Sequence, residues 1–225
     1  TAVLYRSNAQ SRAIEEALLR VSIPYRIYGG LRFYERLEIK NAIAYLRVIF
    51  NNNDNPSFER SISNPTRGVG EKTLAKIRYT AKQYNISYIK ASAKLIDEGS
   101  ISGRGAAGLR DYLEFIAGCK SFIEENLLSE LMELIIKESG LYAYHAKEPG
   151  EKGKTRTENL EELITATKNF EQSIKEDKTN FEIAENYLDI ISLDSGDRQA
   201  SEHDDAAQLM TMHSAKGLEF KLVLI

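Results

Sequence analysis

Strand signals sit at the two ends of this chain, and the long middle carries only helical patterns. That distribution constrains the fold most, because a strand left without a partner exposes a row of unpaired backbone groups. Ala2–Tyr5 is a short apolar run of the strand type. Asn8 can cap the helix that follows, whose Ala13, Ile14, Ala17, Leu18 and Val21 keep helical spacing. Pro24 ends it, and 25–28 reads as a second strand before the turn Gly29-Gly30. A second helix over 35–50 carries Ile39, Ala42, Ile43, Leu46, Ile49 and Phe50 on one face. The other end returns to strands: 209–212 and 222–225 are apolar and bracket the polar loop His213-Ser-Ala-Lys-Gly-Leu-Glu219.

Between these ends the polar cluster 51–56 breaks the pattern, and helical stripes follow one another. Examples are Leu109, Tyr112, Leu113 and Ile116, then Leu128, Leu131, Met132 and Ile135. Thr179 and Glu182 form a capping box at the start of the last stripe. Stretches 98–108 and 147–156 read as linkers, and the polar stretch 194–205 closes the block. The predicted fold class is therefore α/β plus mostly α. A partial parallel-sheet domain, 1–55 and 205–225, is interrupted by a helical inserted domain, 56–204, and the terminal strands pair in one sheet.

Composition excludes several classes. No run of apolar residues is long enough for a membrane span, and no leader pattern is visible. The single Cys119 excludes an internal disulfide framework and suits a reducing cytoplasm. Three scattered histidines and one cysteine give no metal-ligand spacing. A net charge of −3 argues mildly against nucleic acid as a partner, yet the window 64–82 holds Arg67, Lys72, Lys76, Arg78 and Lys82 against Glu71 alone.

Tyr5-Arg6 falls at the carboxyl end of the first strand, the edge where open α/β sheets bind ligands. An Arg there can clamp a phosphate and a Tyr ring can stack on a base; a satisfied surface Arg is the plainer alternative. Gly68-Val69-Gly70, before Lys72 and Thr73, is of the hairpin type that lets backbone amides approach DNA phosphates; a tight turn before a helix is the alternative. Residues 150–155 superficially suggest a phosphate loop, but Glu148 stands where that pattern requires glycine, so a charged surface loop is expected. His213, Ser214, Lys216 and Glu219 lack an arrangement that would activate Ser214 as a nucleophile.

Taken together, these segments resemble motifs of the UvrD/PcrA/Rep superfamily 1 DNA helicases. Val3-Leu-Tyr-Arg-Ser-Asn-Ala-Gln-Ser-Arg12 is similar to motif IV, and 25–40 to the adjoining motif IVa. Asn64-Pro-Thr-Arg-Gly-Val-Gly70 resembles the glycine motif of the inserted domain, and Thr157-Glu-Asn-Leu-Glu-Glu-Leu163 another stretch of it. Met210-Thr-Met-His-Ser-Ala-Lys-Gly-Leu-Glu-Phe220 looks like motif V. The resemblance implies the first part of a second RecA-like motor domain with its inserted domain, in an ATP-driven translocase moving 3′ to 5′. By position, Tyr5 would stack on adenine, Arg6 would be catalytic at the γ-phosphate, and Glu219 would contact the ribose. Thr211, His213 and Ser214 would face single-stranded DNA. Arg67, Gly68, Val69, Gly70, Lys72 and Thr73 would grip duplex backbone.

The resemblance also implies that the phosphate loop and the acids holding Mg²⁺ belong to a first motor domain outside this sequence. ATP and Mg²⁺ are therefore expected in the intact enzyme and neither in this piece, which should neither hydrolyse ATP nor unwind DNA. The expected partners are a DNA single-strand/duplex junction, the first motor domain and repair proteins; no membrane is expected. Two rivals remain: a non-catalytic module for DNA junctions or partner proteins, and the motor of a helicase–nuclease.

Overall fold

The structure is a computed structural model that describes residues 1–174, 178–196 and 205–225. Four parallel strands make one sheet: β1 (Ala2–Tyr5), β2 (Tyr25–Ile27), β3 (Ala207–Thr211) and β4 (Val223–Leu224), in the order β2-β3-β1-β4. The two ends of the chain thus share a sheet. β1 runs beside β3 from Ala2↔Gln208 to Tyr5↔Thr211, with Ala2↔Val223 on its other side. Both strands finish together at their carboxyl ends.

The helices are α1 (Ser11–Arg20), α2 (Leu37–Phe50), α3 (Asn55–Ser63), α4 (Glu71–Tyr84), α5 (Tyr88–Asp97) and α6 (Gly103–Glu125). They continue with α7 (Leu128–Glu138), α8 (Leu141–Ala146), α9 (Glu151–Ser173) and α10 (Asn180–Gly196). Thr179 and Glu182 form the expected cap of α10, with both the backbone amide and the hydroxyl of Thr179 donating to Glu182. The polar stretch 194–205 lies largely outside the described residues.

Several local features depart from the sequence reading. Ser7, not Asn8, caps the first helical turn: its hydroxyl accepts from the Ala9 amide, and its own amide donates to the Gln10 side chain. Asn8 sits inside that 3-10 turn, Asn8–Gln10. α1 buries Ser11, Arg12 and Glu15, whereas Ala13, Ala17 and Val21 face solvent. A polar face is turned inward because it meets other polar groups, described below. α2, read from sequence alongside the strands, packs its Ile39, Tyr45, Leu46 and Ile49 into the same apolar core as α3, α6, α7 and α9. A second, smaller cluster, Tyr5, Tyr25, Ile27 and Leu209, lies against α1.

The two expected linkers are partly helical. α6 starts at Gly103, and its Gly108 lies so close to the hairpin that a Cβ there would collide with the Arg67 carbonyl oxygen. The glycines of 98–108 allow a close helix approach as well as a turn. The stretch 150–155 is the first turn of α9 rather than a charged loop; Gly153 packs against the His145 and Glu148 carbonyls. Short α3, α5 and α8 showed no separate stripe, because a helix of two or three turns has few apolar positions to repeat.

Candidate nucleotide and nucleic-acid sites

Parallel pairing brings three strand ends to one edge. The Met212 amide donates to the Tyr5 carbonyl at 2.9 Å, tying the exit of β3 to the exit of β1. The Tyr28 amide donates to the Leu209 carbonyl at 2.8 Å, so β2 ends beside them. Gly29 follows with φ +71°, and a Cβ there would come within 4.0 Å of the Ser214 hydroxyl. Arg6, Gly29 and the 211–214 loop therefore converge on the sheet edge where ligands bind in open α/β folds.

Arg6 is exposed, and its guanidinium makes no hydrogen bond or ion pair among the described residues. Its backbone is fixed instead: the Arg6 and Ser7 amides both donate to Gln10 Oε1, each at 3.0 Å. A fixed root with a free cationic head suits a phosphate oxygen arriving from outside. Tyr5 is placed differently from expectation. It is 5% exposed and packed in the sheet cluster, and burial pushes its hydroxyl pKa up to about 12. No open ring face is offered to a base, because the alternation of β1 turns Tyr5 toward α1.

In the motif V loop, the Thr211 hydroxyl lies 2.9 Å from the Ser214 hydroxyl and accepts from the Ser214 amide at 3.2 Å. His213, Ser214 and Lys216 are exposed, and Gly217 (φ +84°) turns the chain before exposed Glu219. A tight turn braced by its own hydroxyls presents its side chains outward. These donors suit the phosphates and sugars of a strand lying across the edge. Glu219 has no ion pair among the described residues.

In the second candidate site, Gly68 (φ +74°) and Gly70 are exposed, Val69 is buried as an anchor, and Gly70 caps α4 with no side-chain partner. The Thr73 amide already donates to the Gly70 carbonyl at 2.9 Å. Lys72 is exposed and unpaired among the described residues. Arg67 does not have the expected placement. Its guanidinium donates to the carbonyls of Ser61 (3.1 Å), Pro65 (2.9 Å) and Ser139 (2.8 Å), and lies over the rings of Tyr45 and Tyr112 at 5.5 and 5.6 Å. Those contacts occupy the fork that a phosphate would need. Other cations of the basic window are also held: Arg78 pairs with Glu59 and Glu71, and Lys76 donates to the Ser100 carbonyl. Sequence reading missed Arg104, exposed and packed along Gly68. Only the glycines flanking it hinted at a close approach.

Among the described residues no cluster of His, Cys, Asp or Glu could hold a metal ion, and no helix is long and apolar enough to cross a membrane. The groups present fit the phosphate and sugar parts of a nucleotide better than its metal.

The sequence pattern of the UvrD-like helicase C-terminal domain matches residues 1–225. The chain is 47% identical over 224 residues to DNA helicase II of Escherichia coli (strain K12), covering 100% of this chain and 31% of that protein. It is 38% identical over 225 residues to the ATP-dependent DNA helicase PcrA of Leuconostoc citreum, and 38% identical over 226 residues to that of Bacillus subtilis (strain 168). In both cases all of this chain and 30% of the relative are covered, so the chain spans under a third of these proteins. With a match running from the first residue to the last, across both sheet and helices, the chain belongs to the family of UvrD-like helicase C-terminal domains.

Proposed function

We propose that this chain is part of an ATP-dependent DNA helicase that moves 3′ to 5′, supplying half of the nucleotide cleft, a single-strand contact loop and a duplex-binding body. The observation that carries this reading is the Met212–Tyr5 hydrogen bond, which sets Arg6 and the 211–214 loop on one edge. Residues 1–55 and 205–225 form part of a RecA-like second motor domain, and 56–204 are its inserted domain. ATP with Mg²⁺, when bound, supplies the phosphoryl group whose transfer drives movement. Arg6 meets the γ-phosphate oxygens and steadies the charge that develops there. Glu219 accepts from the ribose hydroxyls, and Tyr5 supports the strand end beneath the base. Thr211, His213 and Ser214 follow single-stranded DNA, so a shift of this edge moves the strand with it.

The acids and phosphate loop that complete such a site come from a first motor domain, so the 225-residue chain alone has no DNA-dependent ATPase. Turnover by the purified chain, assayed with and without DNA, would defeat this division of labour. A cytoplasmic setting belongs to this reading; Cys119 is buried, and burial pushes its thiol up to about 12.

Duplex backbone is held without sequence readout by the amides of Gly68–Gly70, the start of α4, Lys72 and Arg104. Lys72→Ala weakens duplex binding uniformly across sequences and lowers the salt slope by about 1, while stability stays within about 0.5 kcal/mol. Fluorescence anisotropy over a salt series measures it. An unchanged slope would make the glycine hairpin a turn only and favour a partner-protein module.

A further inference from the structure

The segment that follows Arg6 is gripped by a helix from the far end of the insertion. The Ser7 hydroxyl donates to Glu158 Oε2 on α9 at 2.9 Å, across 151 positions of sequence. One residue on, Asn159 accepts from Arg36 Nη1 at 2.9 Å, and that same nitrogen donates to the Asn8 carbonyl at 2.8 Å. Two successive side chains of α9 therefore hold the 3-10 turn, one directly and one through Arg36. That turn contains Gln10, whose side-chain oxygen receives the Arg6 amide. Among the described residues the Arg6 side chain has no partner, so this backbone is what fixes the point from which the guanidinium reaches out.

We infer that Glu158 is a positioning residue for Arg6: through Ser7 it locks the turn that aims the guanidinium, making the insertion part of the nucleotide cleft. The inference rests on the proposed role of Arg6. It adds that α9, a helix of the insertion, sets how well that role is performed. Losing the Glu158–Ser7 bond leaves the turn closed less of the time and Arg6 misdirected for part of each cycle. ATP is still bound, because the rest of the cleft is unchanged.

The test uses the full-length protein with Glu158→Ala, Glu158→Gln and Ser7→Ala, each alone and combined with Arg6→Ala. Expected is a fall in kcat of about tenfold for Glu158→Ala and Ser7→Ala, with KM for ATP within about twofold. Glu158→Gln keeps an acceptor for Ser7 and restores most of the rate. Amide hydrogen exchange of residues 6–10 speeds up about tenfold in Glu158→Ala, while residues 208–211 of β3 are unaffected. In the Arg6→Ala background the Glu158 change adds nothing. The inference is overturned if 6–10 exchange at the original rate, or if Glu158→Ala lowers kcat equally with and without Arg6. If Arg6→Ala leaves kcat intact, the reading of the cleft fails, and the exchange result still decides whether Glu158 holds the turn. Ser7→Ala also loses the cap on the Ala9 amide. Should Glu158→Ala fail to fold, Glu158→Leu compared with Glu158→Gln, one without and one with an acceptor for Ser7, therefore decides by the same exchange and kcat readouts.

Discussion

Arg6→Ala in the full-length protein lowers ATP turnover about 10³-fold while nucleotide affinity stays within about threefold. The expectation follows from what Arg6 has and lacks. Its backbone is anchored by Gln10, its side chain is exposed, and it meets no acid among the described residues. A cation kept free at a strand end is of little use to the fold, so its removal should not unfold the protein. Its value arises where phosphoryl charge grows in the transition state, which is why kcat and not KM carries the loss. Lys at this position recovers little, because a point charge does not reproduce a planar fork. Steady-state kinetics with saturating DNA decide it, and turnover within threefold of wild type would remove Arg6 from the chemistry.

Arg67→Ala destabilises the chain by about 3 kcal/mol or more, an effect on folding first and on DNA only through it. The change removes three charge-assisted hydrogen bonds to carbonyls and two ring contacts. It also strips the filling between Tyr45 and Tyr112, whose hydroxyls bond to the Ser61 carbonyl and the Ser61 hydroxyl respectively. Denaturant unfolding gives the loss directly, with Lys72→Ala as the control that should move binding and not stability. If Arg67→Ala unfolds like wild type and binds duplex less well, its guanidinium reaches phosphate after all.

Arg6 and Arg67 show what the sequence could and could not say. Both are arginines beside a recognisable turn. The position of Arg6 at the end of an apolar run was enough to put it at a sheet edge, since strand direction and period are local properties. Arg67 is held by a carbonyl 72 residues away, and no local pattern encodes that. The same holds for Ser7, Arg12 and Arg36, whose partners on α9 lie 151, 150 and 123 positions off. Apolar stripes announced the long helices because burial repeats with the helical period. The polar face of α1 looked solvent-facing for the same reason, although Glu15 is buried there, with its pKa raised by loss of water and opposed by Ser11 and Arg36. Tyr5 poses the opposite problem: an aromatic at a strand end serves a base or the core equally well until its neighbours are known, and here its ring packs in the sheet cluster.

Where α9 meets the turn after Arg6, the glue is ionic and hydrogen-bonded: Arg12 with Glu162, Ser7 with Glu158, Arg36 with Asn159. Arg12, Arg36 and Asn159 are buried at this joint, so parting it strands polar groups that only these partners satisfy, and its geometry is correspondingly specific. Salt screens such shielded contacts little, so this clasp persists at ionic strengths that already loosen exposed pairs such as Lys94–Glu98 and Lys137–Glu133.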